Sequence, residues 1–98
     1  MENAAKHEKI REWVDPEERV TVDFLDEKEL NATVTSCTIE HVNIMIQTHF
    51  PHLKQTLSIP LGDVEVAEDR THYTRDPDKP LRYGRLKLVI NMNRPQWV

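Results

Sequence analysis

From Arg19 to Val66 apolar residues recur at alternate positions in short runs broken by polar corners, which is the pattern of short half-buried strands. Val20, Val22 and Phe24 share one side of a first strand and Thr21, Asp23 and Leu25 the other, so the first set is assigned to the core. Residues 26–29 make a polar corner. Leu30, Ala32 and Val34 continue the inward set, but beyond Ser36 the apolar phase switches to Cys37 and Ile39, as a one-residue bulge in a long bent strand requires. Val42, Ile44 and Ile46 with Thr48 form a third strand, Leu57 and Ile59 a fourth, and Val64 and Val66 a fifth beyond the corner at residues 60–63. Even spacing of this kind predicts a mainly β protein, a small, strongly bent five-stranded antiparallel barrel spanning residues 19–67.

The flanks are of different character. Asn3 is placed to cap a helix over residues 3–14, in which Ala4, Ala5, Lys6, Glu8 and Lys9 are good formers and Ile10, Trp13 and Val14 give one end an apolar side. Trp13 is expected to pack over an open mouth of the barrel. Asp15, Pro16 and Glu18 then supply a capping turn before the first strand. Residues 48–54, with Phe50 and Pro51, read as the tip between the third and fourth strands. Residues 69–80, with Asp76-Pro77 and Lys79-Pro80, read as a turn-rich linker. Leu86, Leu88 and Ile90 alternate with Lys87 and Val89, an extra C-terminal strand expected to lie along the barrel or to pair with a neighbouring subunit's edge. Residues 1–98 thus form a single domain, with 68–98 as linker and appended basic strand.

Charge divides the chain. The net charge is −4, but residues 1–69 carry 6 basic and 15 acidic side chains, giving −9, while residues 70–98 carry 7 basic and 2 acidic, giving +5. A basic tail of that kind either folds back on the acidic part of its own chain or of a neighbour, or serves as a strip for a polyanion. No apolar run approaches the roughly 20 residues of a membrane span, and the first residues lack the basic and apolar regions of a signal peptide, so a cytoplasmic protein without membrane contact is expected. Cys37, the single cysteine, falls on an apolar phase and reads as a small buried hydrophobe.

Catalysis finds little support. His49 and His52, with His72 or Asp69, could share a metal, but the proline between the first two reads better as an exposed loop corner. The carboxylate pairs Glu17-Glu18 and Asp26-Glu27 fall in caps and corners where charge is solvated. With Gly62 and Gly84 as its two glycines, the chain has no phosphate loop. Neither an enzyme nor a cofactor is expected.

A capped helix, a strand, an acidic corner, a long bent second strand, a tight corner and three shorter strands together resemble the Sm-like family of ring-forming RNA-binding proteins, whose barrel is also SH3-like. The resemblance is carried by residues 20–26, by Leu30 to Val34 and by His41-Val42-Asn43, and spans residues 3–66. Glu27 and Ala32 stand where the family has glycine, and Thr38 where it has aspartate. The family's second motif falls either on residues 57–66, without its arginine–glycine pair, or on residues 81–90, with an inserted Tyr83; the first placement is favoured, because the second needs a long irregular excursion between strands. The resemblance implies a cyclic homo-oligomer joined through strand edges and a single-stranded RNA or RNA-chaperone role. It assigns base stacking to His41, base-edge recognition to Asn43 and, under the second placement, a basic contact to Arg82 with Gly84. The alternative is a structural or protein-interaction ring that has lost RNA binding. His41 and Asn43 also suit a tight strand corner on turn chemistry alone.

Overall fold

A computed structural model describes residues 2–47, 53–74 and 82–96, with side chains over 2–47, 53–69 and 84–96. A helix α1 (Asn3–Arg11) precedes six strands: β1 (Arg19–Asp23), β2 (Leu30–Cys37), β3 (His41–Gln47), β4 (Lys54–Pro60), β5 (Val64–Thr74) and β6 (Arg82–Ile90). A single 3-10 turn, Leu61–Asp63, joins β4 to β5. The strands form one sheet in the order β4-β3-β2-β1-β6-β5, antiparallel throughout except where β6 runs parallel to β1.

This is not the closed five-stranded barrel that the periodicity predicts. β4 and β5 are the two outer strands of the sheet. Laid flat, six strands would set them about 24 Å apart at about 4.8 Å per step. Pro60 and Val64 are four residues apart along the chain, a reach of at most about 14 Å, so the sheet must curl until the end of β4 meets the start of β5, leaving a seam between them. The inner side of the curl is the core: Val20, Val22, Phe24, Ala32, Val34, Val42, Ile44, Ile46, Ile59, Val64, Leu86, Leu88 and Ile90 are all buried. These are the inward rows that the alternation picks out.

The expected bulge is present. Val34 lies opposite Ile44 and Ser36 opposite Asn43, so Thr35 is the extra residue of β2, and the phase change turns Cys37 back toward the core, opposite Val42. Ile39 does not follow it inward; it lies on the β2–β3 corner and is exposed.

The C-terminal strand departs furthest from expectation. β6 is neither laid along the outside nor left for a neighbour; it is an interior strand, paired with β1 on one side and β5 on the other. β5 does not end near Ala67 but continues through the expected linker to Thr74. Residues 48–52 and 75–81, the rest of the predicted tip and linker, lie outside the described residues. No described helix is long and apolar enough to cross a membrane.

The helix ends at Arg11, before Trp13 and Val14, and its N-cap is Glu2, with no side-chain cap from Asn3. Ile10 is fully buried, and Trp13 packs half-buried against the core. Lys6, one helical turn before Ile10 on the same face, is buried too, and its Nζ donates to Leu61 O (2.7 Å). Leu61 N donates to Glu40 O (2.9 Å) and Asn91 N to Asp63 O (2.8 Å), so the turn that closes the curl is held by the helix, the β2–β3 corner and the end of β6 together. Asp15 turns the chain into β1 as expected, its Oδ1 accepting Glu17 N–H (2.8 Å).

At the β1–β2 corner Glu29 has φ 56°, a left-handed conformation that side chains with a Cβ resist. Glu29→Gly relieves that strain at the cost of a more flexible unfolded chain, and is expected to raise stability by about 0.5–1 kcal/mol. Urea denaturation with an unchanged m-value checks it.

Candidate functional site

The seam is where the fold exposes unfinished structure. Among the described residues β4 pairs as a strand with β3 alone and β5 with β6 alone, so each presents an edge with no strand laddered onto it. Along the start of β5 runs a groove of about 560 Å³, bordered by Asp63, Val64, Glu65 and Val66 and reached by Lys6 and Lys28. Leu25, Val89, Ile90 and Asn91 complete its lining, so it lies over the β5–β6 pair beside the β1–β2 corner, and its charged lining residues are Lys6, Lys28, Asp63 and Glu65.

The residues that the sequence nominates fall in two places. His41 opens β3 and is exposed; its corner is tied by Thr38, whose N–H donates to His41 O (2.8 Å) and whose Oγ1 accepts the N–H groups of Glu40 (3.2 Å) and His41 (3.1 Å). Asn43 lies two residues further on the same side of β3, half-buried, with its Nδ2 donating to Ser36 Oγ (2.7 Å). Its carbonyl accepts from Thr35 Oγ1 (3.2 Å), so Asn43 is bound on both counts to the bulge of β2. Arg82 and Gly84 are in β6, with β2 and β1 between them and β3. Gly84 is buried at φ 96°; the side chain of Arg82 lies outside the described residues. The structure therefore brings His41 and Asn43 together and leaves Arg82 and Gly84 apart from them.

Of the tail's described basic side chains, Lys87 and Arg94 fold back on acidic residues of the same chain and Arg85 on an amide. Lys87 Nζ meets Asp23 Oδ2 at 3.2 Å, Arg94 Nη1 meets Glu27 Oε2 at 2.9 Å, and Arg85 Nη1 donates to Asn31 Oδ1 (2.8 Å). On the same outer face Thr21 Oγ1 donates to Asp69 Oδ2 (2.8 Å). Sequence reasoning missed Lys6, Gln55 and Arg94 as organising residues. Two of them leave a signal: Lys6 precedes Ile10 by four residues, and Gln55 stands in phase with Leu57 and Ile59.

Among the described residues no group of three or more histidine, cysteine, aspartate or glutamate side chains could hold a metal. His49 and His52, and the side chain of His72, lie outside them. Burial pushes the Cys37 thiol up from its ordinary range, so it stays protonated, as a packing residue does.

No family model, curated protein or solved structure matches this chain. The geometry of the seam and the charges around it carry the functional reading by themselves.

Proposed function

We propose that this protein is a homo-oligomeric ring of the Sm-like kind, built by pairing the β4 edge of one copy with the β5 edge of the next, and that its working contacts are with protein. The observation that carries this reading is the seam, where two unpaired outer strands are joined by a three-residue turn. Two strands held that close but unpaired with each other leave one donor edge and one acceptor edge per copy, the requirement for a head-to-tail contact that closes on itself.

The side chains along the two edges support the pairing. An antiparallel register with Leu57 opposite Val66 of the next copy also sets Ile59 opposite Val64 and Lys54 opposite Asp69. The apolar inner faces then continue from one copy to the next, and a cation meets an anion.

RNA binding is the second reading, favoured by the exposed His41 on the same side of β3 as Asn43. Against it, an Asn43 amide N–H is donated to Ser36, and Arg85, Lys87 and Arg94 make contacts within the chain to Asn31, Asp23 and Glu27. Phosphate affinity depends on clustered cations free to make the contact.

The test is charge reversal at the proposed joint. Lys54→Asp sets two acids against each other and is expected to weaken association roughly tenfold, with Asp69→Lys in the same chain restoring it. Light scattering over a concentration series reads both. An assembly indifferent to Lys54→Asp would remove this joint. Micromolar, salt-sensitive binding of short uridine-rich or adenosine-rich RNA, abolished by Asn43→Ala, would move the assignment to RNA.

A further inference from the structure

Residues 91–96 have no regular structure and cross from the end of β6 to the β1–β2 corner and on to β4. They are held as a receptor holds an extended peptide. Leu25 N–H donates to Met92 O (3.0 Å), Asp26 Oδ1 accepts Arg94 N–H (2.8 Å), and Gln55 Nε2 donates to Pro95 O (2.7 Å). The Arg94 guanidinium is grasped from two elements, Nη1 donating to both carboxylate oxygens of Glu27 (2.9 Å each) and Nε donating to Gln55 Oε1 (2.9 Å). Gln55 is only 5% exposed, a buried polar side chain on the core face of β4 whose amide spends both its oxygen and its nitrogen on this segment.

A strap that merely covered the core would rest on apolar burial. Among the described residues Met92 is the tail residue packed on the core, and the remaining described contacts read main-chain groups and one planar cation. A guanidinium held by donors and acceptors in fixed positions is a specific recognition element that lysine does not reproduce.

We propose that Asp26, Glu27 and Gln55 form a binding site for an extended peptide carrying arginine followed by proline, which the chain's own C-terminal segment fills as a tethered ligand. A partner protein displaying such a segment displaces the tail. The site binds its cis ligand at an effective concentration of about a millimolar, the usual value for a short tether. If the tail is docked about 99% of the time, the same segment offered in trans to an empty site binds with a Kd near ten micromolar.

The experiment uses the full chain carrying Arg94→Ala, which empties the guanidinium site, and a synthetic hexapeptide of residues 91–96. Calorimetry is expected to give a Kd of about ten micromolar for this variant and about 100-fold weaker apparent binding to the wild-type chain, where the tail competes. A peptide with lysine at the arginine position is expected to bind at least tenfold more weakly. No saturable binding to the folded variant, or equal binding of the lysine peptide, overturns the proposal. Because Arg94→Ala could disturb folding, the wild-type chain gives a second readout: several millimolar hexapeptide should move the Arg94 Nε–H resonance to its free position. A resonance that stays in place overturns the proposal whatever the variant does.

Discussion

Leu88→Ala is expected to destabilise the protein by about 2–5 kcal/mol, the cost of removing a large apolar side chain from a packed interior. Leu88 is fully buried, and its strand lies between β1 and β5, in register with Val22 on one side and Val66 on the other. The substitution therefore opens a void facing neighbours on both sides, in a chain whose whole stability is of the order of 5–15 kcal/mol. Denaturation midpoints at constant m-value measure it. An appended strand lying on the outside would lose less than about 1 kcal/mol, the usual range away from the core. A small effect would thus contradict the interior position of β6.

Asp23→Ala is expected to cost about 2–3 kcal/mol, a large effect for a polar residue on the outer face of the sheet. Asp23 is 8% exposed, and its carboxylate does two jobs: Oδ1 accepts the Glu29 N–H (2.8 Å), and Oδ2 pairs with Lys87 (3.2 Å). Truncation leaves the Glu29 N–H without its acceptor in a left-handed turn and a largely covered ammonium without its counter-charge. Glu29→Gly removes the strain that the carboxylate helps to hold, so in the Asp23→Ala background it should recover more than the about 0.5–1 kcal/mol it gives in the wild-type chain. Double-mutant denaturation reads the coupling; two strictly additive effects would mean that Asp23 acts through Lys87 alone.

These residues also mark where the sequence is legible. The inward rows of β1 to β4 follow from a period of two, because each inward side chain meets the same apolar interior whatever strand lies next to it. The bulge at Thr35 was readable for a related reason: one extra residue must reverse the phase of everything after it, and the shift to Cys37 does so. The place of β6 was not readable. Leu86, Leu88 and Ile90 show that the strand has a buried face, but alternation carries no information about which strands flank it, and the parallel pairing with β1 joins residues more than sixty positions apart. The extension of β5 to Thr74 was hidden behind the prolines and aspartates that follow it. At the candidate site, turn chemistry at Thr38 and the amide of Asn43 were visible as a corner, whereas the partner that each polar side chain takes, Ser36 for Asn43 or Glu27 for Arg94, depends on the curl of the sheet.

That curl is also what makes assembly the central claim. In a sheet whose first and last edges are brought together by three residues, yet not joined, the proposed assembly has another copy supply the strand that each edge lacks. The most direct measurement is native mass spectrometry of the wild-type chain across a wide range of protein concentrations. Edge pairing that closes into a ring predicts one dominant multiple of the monomer mass, held as the concentration falls, with no ladder of intermediates. A monomer at every concentration, or an open series of ever longer species, would contradict it.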